Sequence, residues 1–478
     1  MLKKVQFGHN GLMTSITATR LATILGPWRS QSPAYAALAD RIRLVALDGR
    51  LAHGTRMPAE RDLAAALGLS RTTVAAAYAR LRDAGSLESR RGSGSFVSLG
   101  TRPAADAAVD GIALDFTKAA MPAAGPVAAC FAAAAALIGP ELSRSGYEIT
   151  GHPALRGAVA AHFARRGVPT DPEQILVTSG AQHAIALLTR VLATPGDRAL
   201  IEQPTYPHAI DALQAAKARP VPVPVDVEGA WDLAEAEAAM RDATPSLGYV
   251  MPDFQNPTGA SLSEDERGRL ARAADRHGTV LIADETTMWL DLRRGPRRPL
   301  AAYSPAVVTV GGLGKLAWGG LRVGWIRASR SLVARLAQSR TSMDLGTPVF
   351  EQLVAVELLA RERDLVAERR TRLADGLAAM REGLAEQFPQ WTVPDPDGGL
   401  ALWLDCSPWS SSELVLGARE EGLALTAGPR FGLNGAFEGR LRLPFTDSPE
   451  SIRAAVGALR RAADRHASGP LAEPLVAV

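Results

Sequence analysis

Only five of the 53 basic residues are lysines: Lys3, Lys4, Lys118, Lys217 and Lys315. The chain otherwise prefers arginine, yet it keeps an amine at the end of the run Val310-Gly311-Gly312-Leu313-Gly314-Lys315. An arginine stays protonated and forms no imine, so a lysine held among apolar neighbours points to amine chemistry on a carbonyl compound. The glycine-lysine pair also invites a phosphate-cradling P-loop. That motif needs a further glycine five residues before the paired one, and Ser or Thr after the lysine. Thr309 and Leu316 stand there, and the P-loop reading fails.

An aldehyde cofactor of the pyridoxal phosphate type demands several other groups: a carboxylate for the pyridine nitrogen, a donor to the ring oxygen, a stacking group and phosphate ligands. Each has a candidate. Asp284 follows Val280-Leu281-Ile282-Ala283 and can hold the ring nitrogen protonated. Asn256, in Asn256-Pro257-Thr258-Gly259, can donate to the ring oxygen, and Tyr206, in Pro204-Thr205-Tyr206, can stack on the ring or bond near it. Ser179-Gly180-Ala181-Gln182 opens a helix after Val177-Thr178, where backbone amides can hold a phosphate. Arg322, seven residues after Lys315, adds a cation. Taken singly, each has an ordinary explanation: Asp284 as a helix cap, Asn256 as a turn residue, Tyr206 as core, Arg322 as a surface charge. Their shared position beyond the carboxyl ends of strands, where open α/β sheets gather ligands, favours a single site.

The elements that carry these groups alternate. Short buried runs over 174–178, 198–201, 247–251, 279–283 and 307–310 are separated by helical stretches, which predicts a mostly parallel sheet covered on both faces. Residues 350–467, with a long helix and strand candidates at 401–404 and 440–443, predict a smaller α+β lobe. The expected division is an arm over 1–30 without periodicity, a helical head over 31–99, a linker over 100–113 rich in Ala and Asp, and a cofactor-binding body over 114–470.

The head has its own pattern. Tyr35, Leu38, Ile42, Val45 and Leu47 predict a helix ended by Gly49, followed by helices over 59–67 and 71–84 around the turn Gly68-Leu69-Ser70. Residues 86–98, around Arg90-Arg91-Gly92-Ser93-Gly94, predict a two-stranded wing. In the last helix Ser70 is placed as N-cap and Arg71, Thr72 and Thr73 fill the first turn. Ala75, Ala76 and Ala77 permit close packing, and Val74, Tyr78 and Leu81 face the core. That suits a helix entering a DNA major groove; a small helical domain with a solvated basic face is the plainer alternative. Residues 33–98 hold ten Arg against six Asp and Glu, a local charge of +4 in a chain whose total is +3, so polyanion affinity belongs to this segment.

The longest apolar stretch, 127–138, lies between Pro126 and Pro140 and is too short to span a bilayer, which needs roughly 20 residues. Cys130 and Cys406 are the only cysteines, too few for a disulfide framework or a zinc cluster, and no metal is expected. These features predict a cytoplasmic protein with no membrane partner.

Two resemblances sharpen these readings. The segment through Arg56-Met57-Pro58-Ala59-Glu60-Arg61-Asp62-Leu63-Ala64, Gly68-Leu69-Ser70-Arg71-Thr72-Thr73-Val74 and Gly92-Ser93-Gly94 resembles the GntR family winged helix-turn-helix. That likeness implies DNA contacts from Arg61, Ser70, Arg71, Thr72, Thr73 and Gly94. The rest resembles the fold-type I aminotransferases through Gly151-His152-Pro153-Ala154-Leu155-Arg156, Asn256-Pro257-Thr258-Gly259, Asp284 and Lys315 with Gly320-Leu321-Arg322-Val323-Gly324. It implies pyridoxal 5'-phosphate on Lys315, with Asp284, Asn256, Tyr206, Gly180, Ala181, Gln182 and Arg322 around it. It also implies a carboxylate clamp at Arg442, for which Arg440 is the competing choice.

The fusion resembles the MocR/GabR regulators. It implies a cofactor-dependent transcriptional regulator that senses an amino compound or the cofactor itself, as a head-to-tail homodimer on operator DNA. The rivals are an active class I/II-type aminotransferase with an appended DNA-binding domain, and a regulator whose body has lost the cofactor. Two departures bear on this. Gly312 and Gly314 stand where relatives carry hydroxyls, which implies a weaker hold on the phosphate, and Thr286 stands where many relatives carry tyrosine.

Overall fold

The computed structural model describes residues 15–26, 28, 33–90, 93–98, 113–226 and 231–467. They form two compact units. One gathers the described residues of Met1–Asp115, Cys406–Leu441 and Ala458–Val478, and the other holds Phe116–Asp405 and Arg442–Gly457.

In the first unit, part of the expected arm is helical. Thr17 accepts the Arg20 amide at 3.2 Å and starts α1 (Ala18–Leu25), whose Leu21 and Leu25 are fully buried. One buried pair a turn apart is too little for a period to be read in sequence. Residues 1–14 lie outside the described residues, as do 99–112, which hold nearly all of the expected linker.

Helix α2 (Ala34–Leu47) buries Leu38, Ile42 and Val45 as predicted, but Tyr35 and Leu47 are each 41% exposed. Leu47 is two residues past Val45, about 200° round the helix, and Tyr35 sits in the first turn at the edge of the apolar stripe. Helix α3 (Glu60–Leu67) ends at Gly68, whose φ of 63° suits a left-handed C-cap. Helix α4 (Arg71–Asp83) follows, with Val74, Ala77, Tyr78 and Leu81 buried; Ala76 is exposed, so the close approach is made by Ala77 instead. The Tyr78 hydroxyl donates to Pro58 O at 3.0 Å. Strands β1 (Leu87–Arg90) and β2 (Gly94–Val97) pair antiparallel as the wing; Arg91 and Gly92 lie outside the described residues.

Arg41, in the middle of α2, is buried and donates to Leu25 O (2.8 Å), Ser412 Oγ (3.2 Å) and Glu438 Oε2 (3.0 Å). Its fork ties α1 and α2 to the 406–441 segment of the same unit. Strand β3 (Leu114–Asp115) pairs in parallel with Leu423–Ala424.

The second unit is built on a seven-stranded sheet. Its strands are β4 (Ile175–Thr178), β5 (Arg198–Gln203), β6 (Arg219–Pro224), β7 (Leu247–Val250), β8 (Val280–Asp284), β9 (Val308–Gly312) and β10 (Gly324–Arg327). The order is β4-β10-β9-β8-β7-β5-β6, and only β10 runs against the others. The predicted parallel α/β sheet is therefore present, with two strands not foreseen. Strand β6 reads Arg-Pro-Val-Pro-Val-Pro, a sequence a sheet accepts only at an edge, and it is an edge strand. Strand β10 is four residues long and begins at Gly324. Fully buried Val, Ile and Leu on β4, β5, β7 and β8 pack against helices including α5 (Val127–Leu137) and α6 (Pro153–Arg165). The carboxyl ends of β4, β5, β7, β8 and β9 consequently open on one edge of the sheet. No helix among the described residues is long and apolar enough to cross a membrane.

Candidate cofactor site and nucleic-acid interface

At that edge lies a cavity of about 190 Å³. It is lined by Lys315, Asp284, Asn256, Tyr206, Gly180, Ala181, Gln182 and Arg322, so all eight residues singled out from the sequence meet in one place. Lys315 lies three residues beyond β9 and donates to Ala119 O at 2.5 Å. Burial pushes its ammonium down to about 8; Arg442 adds to the fall and the Asp284 charge opposes it. A neutral amine is therefore accessible near physiological pH, which nucleophilic attack on an aldehyde requires.

Asp284 ends β8. Its Oδ2 accepts the Tyr249 hydroxyl at 2.7 Å, and its Oδ1 accepts Thr286 Oγ1 at 2.7 Å and Thr286 N at 3.0 Å. Burial raises this carboxyl, while the Thr286 and Tyr249 bonds and the Lys315 charge hold it down. Thr286 thus orients the carboxylate. Asn256 accepts Arg442 Nη1 at 3.4 Å through Oδ1, which leaves its Nδ2 as the group able to donate into the cavity. Arg442 also donates to Thr117 O at 2.7 Å and is buried. Burial, with Asp284 second, pushes the Tyr206 phenol up to about 12, so it stays a donor.

The opposite wall is made for an anion. Helix α7 (Ala181–Leu192) begins here with no side-chain cap and no acidic residue in its first turn. Arg322, at φ 54°, donates to Ser179 O at 2.9 Å beside it. Gly180 has φ 88°, and a Cβ on it would come within 2.6 Å of the Arg322 guanidinium, so only glycine lets the cation lie against the helix start. Gly324 serves the same approach, since its Cβ would meet Gly180 C at 2.7 Å. A lysine of lowered pKa, a buried carboxylate, two ring-side donors and an uncapped helix start with an arginine fit pyridoxal phosphate.

Gly312 and Gly314 also line the cavity. A Cβ on Gly312 would lie 3.2 Å from Gly324 Cα and Val323 O, whereas Gly314 has nothing closer than Gly319 Cα at 3.8 Å. Gly314→Ser is therefore expected to fit and to tighten cofactor binding about tenfold, as one added bond to a charged group allows. Gly312→Ser is expected to bind no better than the wild type. Titration of the visible absorbance band with cofactor measures both.

Several site residues were not singled out from sequence: Tyr249, Thr286 as a carboxylate partner, Ala119, Thr287 and Leu400. Tyr249 carried a usable signal, because a tyrosine inside a fully buried strand needs a partner for its hydroxyl.

In the first unit, the predicted DNA-facing residues gather at the start of α4 and at the wing. Ser70 Oγ accepts Thr73 N at 3.0 Å and lies 2.7 Å from Thr72 Oγ1 and 2.8 Å from Thr73 Oγ1. Arg71 and Arg61 are well exposed, next to Glu60 (3.8 Å) and Asp62 (3.4 Å). Both line a hollow with Gly94 and Arg56. Arg90 of the wing is held by Glu88 at 2.7 Å and lies over the Phe96 ring at 4.5 Å.

Residues 92–459 match the family described as aminotransferase class I and II, and residues 34–97 match bacterial regulatory proteins of the gntR family. The chain is similar to the uncharacterized HTH-type transcriptional regulator YdcR of Escherichia coli, 27% identical over 83% of this chain and 92% of that protein. It is also similar to the probable rhizopine catabolism regulatory protein MocR of Rhizobium meliloti, 31% identical over 62% of this chain and 65% of that one. Among solved structures, LysN, the alpha-aminoadipate aminotransferase of Thermus thermophilus complexed with N-(5'-phosphopyridoxyl)-L-leucine, has a TM-score of 0.68 at 28% identity. That match covers 76% of this chain and 95% of LysN.

Proposed function

Because the chain belongs to the aminotransferase class I and II family and carries a gntR-family region ahead of that match, we propose that it is a pyridoxal-phosphate-dependent, DNA-binding transcriptional regulator. The observation that carries this is the meeting of Asp284, Asn256, Tyr206, Arg322 and the 180–182 helix start around Lys315, in a chain that also presents a capped, basic helix start in its head. Likeness to YdcR over nearly its whole length supports the regulator over the enzyme.

When bound, the cofactor supplies an aldehyde that takes up amines. Lys315 would be the amine that holds it and that an incoming amine would replace. Asp284 would hold the pyridine nitrogen protonated, Asn256 would donate to the ring oxygen, Tyr206 would stack on the ring or bond near it, and the start of α7 with Arg322 would hold the phosphate. Arg442, rather than Arg440, binds a carboxylate of the effector, since Arg442 already touches Asn256 at the cavity. The signal is a small amino compound or the cofactor itself, and its effect on operator affinity equals its difference in affinity for the DNA-competent and incompetent arrangements. The working division is an arm over 1–30, a head over 31–99, a linker over 100–113 and a body over 114–470.

A homodimer in the cytoplasm completes the proposal, with paired heads suited to paired half-sites. Leu137, Leu142 and Tyr147, exposed at 51%, 77% and 69%, are large apolar side chains left at the surface and support self-association. LysN supports a second reading, an active aminotransferase with an appended DNA-binding region. Operator footprinting with and without cofactor and candidate amines, beside a turnover assay with an amino donor and a keto acid, separates the two. Ligand-dependent protection without sustained turnover is the expected result; sustained turnover with no ligand effect on protection overturns it.

A further inference from the structure

Glu202 is buried near the end of β5, inside the second unit, and no step above uses it. Its Oε1 accepts the Met251 amide at 2.6 Å, just past β7. Its Oε2 accepts Gln255 Nε2 at 3.0 Å and faces Thr205 Oγ1 at 3.4 Å. Gln255 immediately precedes Asn256, and Thr205 immediately precedes Tyr206. One carboxyl group therefore grips the two loops that carry Asn256 and Tyr206, both assigned to the cofactor's ring.

Gln255 completes the clasp. Its Nε2 also donates to Pro204 O at 2.6 Å, and its Oε1 accepts Thr258 N at 3.1 Å and Thr258 Oγ1 at 2.8 Å. Both ends of this amide are committed, so it cannot turn over to suit a different partner without losing bonds on both sides. Among the described residues, no arginine or lysine forms an ion pair with Glu202. Its partners are donors on the chain that shapes the site, and the buried Asp284 is its charged neighbour. Burial pushes this carboxyl well up and the Asp284 charge adds to the rise, while the bonds from Met251, Gln255 and Thr205 oppose it. It joins two loops, one leading into Asn256 and the other into Tyr206.

We propose that Glu202 is a positioning residue that, through Gln255 and Thr205, sets Asn256 to donate to the ring oxygen and Tyr206 against the ring. The inference rests on the cofactor reading above. It adds to that reading a control on the ring's electronic state, exerted from a residue that does not line the cavity.

The decisive variant is Glu202→Gln in the full chain. Its new amide puts two donors face to face, against either Gln255 Nε2 or the Met251 amide, while keeping the side chain's volume. Cofactor affinity, read by titrating the visible absorbance band, is expected to fall about tenfold. The pH midpoint of that band is expected to rise, because the ring oxygen keeps more negative charge once Asn256 donates to it less well. Gln255→Met, which leaves Glu202 in place, is expected to move both readouts in the same direction, and the double variant to add little to either single one. If Glu202→Gln does not fold, Gln255→Met alone carries the test. A lower melting temperature with affinity and pH midpoint unchanged overturns the positioning role. If the wild-type chain itself takes up no cofactor, the underlying reading fails instead.

Discussion

Replacing Lys315 with alanine is expected to leave a folded chain that no longer fixes pyridoxal phosphate: no visible band on reconstitution, and no label in the Lys315 peptide after borohydride reduction. The chain has four other lysines, of which Lys118 and Lys217 are among the described residues, but neither lines the cavity. Loss of the Lys315 ammonium removes one bond, to Ala119 O, and relieves a buried cation next to Arg442, so the fold itself should be little disturbed. Lys315→Arg is expected to fail as completely, since a guanidinium stays protonated at any working pH. Borohydride labelling of another site, or undiminished labelling in Lys315→Ala, would end the proposal.

The pH dependence of cofactor capture gives the same residue a second trial. Only the neutral amine attacks an aldehyde. With its pKa near 8, Lys315 should capture cofactor about tenfold more slowly for each pH unit below that value and reach a plateau above it. A lysine in water would keep gaining rate up to about pH 10.4. A stopped-flow series that climbs without levelling through pH 9 would mean that the amine is not held in the desolvated site described here.

What could be read in advance followed from where the chemistry sits on the chain. Asp284, Asn256, Tyr206 and Lys315 each stand at or just beyond a strand end, marked by glycine, proline or a break in an apolar run, so their types and positions were visible together. Glu202 and Tyr249 escaped because they lie inside strands, where a polar side chain is recognised only by a partner brought from elsewhere. The same limit explains the fold. Strands of Val, Ile and Leu announce themselves, but β6 is masked by three prolines that only an edge position tolerates. Strand β10 depends on Gly324 passing close beneath the start of α7, a reason that exists only in three dimensions. Helix α1 is stable because Leu21 and Leu25 enter a core made by α2, α3 and α4, and eight residues alone carry too little pattern to show it.

In the head, Arg71→Ala is expected to weaken specific operator binding by about 1–3 kcal/mol, roughly five- to 150-fold, while leaving the cofactor spectrum unchanged. Arg71 is the first residue of α4, and its side chain is 76% exposed. Its nearest carboxylate, Glu60, stands 3.8 Å away, so little holds it from a DNA site. Ser70→Ala is expected to act differently. It removes the cap on the Thr73 amide, at a cost of about 1 kcal/mol in helix stability, and so lowers affinity for every DNA sequence alike. The two are told apart by measuring each variant on operator and on random DNA over a range of salt. If Arg71 reads a base, specificity at one position relaxes and the salt slope stays; if it neutralises a phosphate, affinity falls uniformly and the slope drops by about one. An Arg71→Ala chain that binds operator as tightly as the wild type at every salt concentration would remove the start of α4 from the interface and leave the wing, with Arg61 and Gly94, to account for recognition.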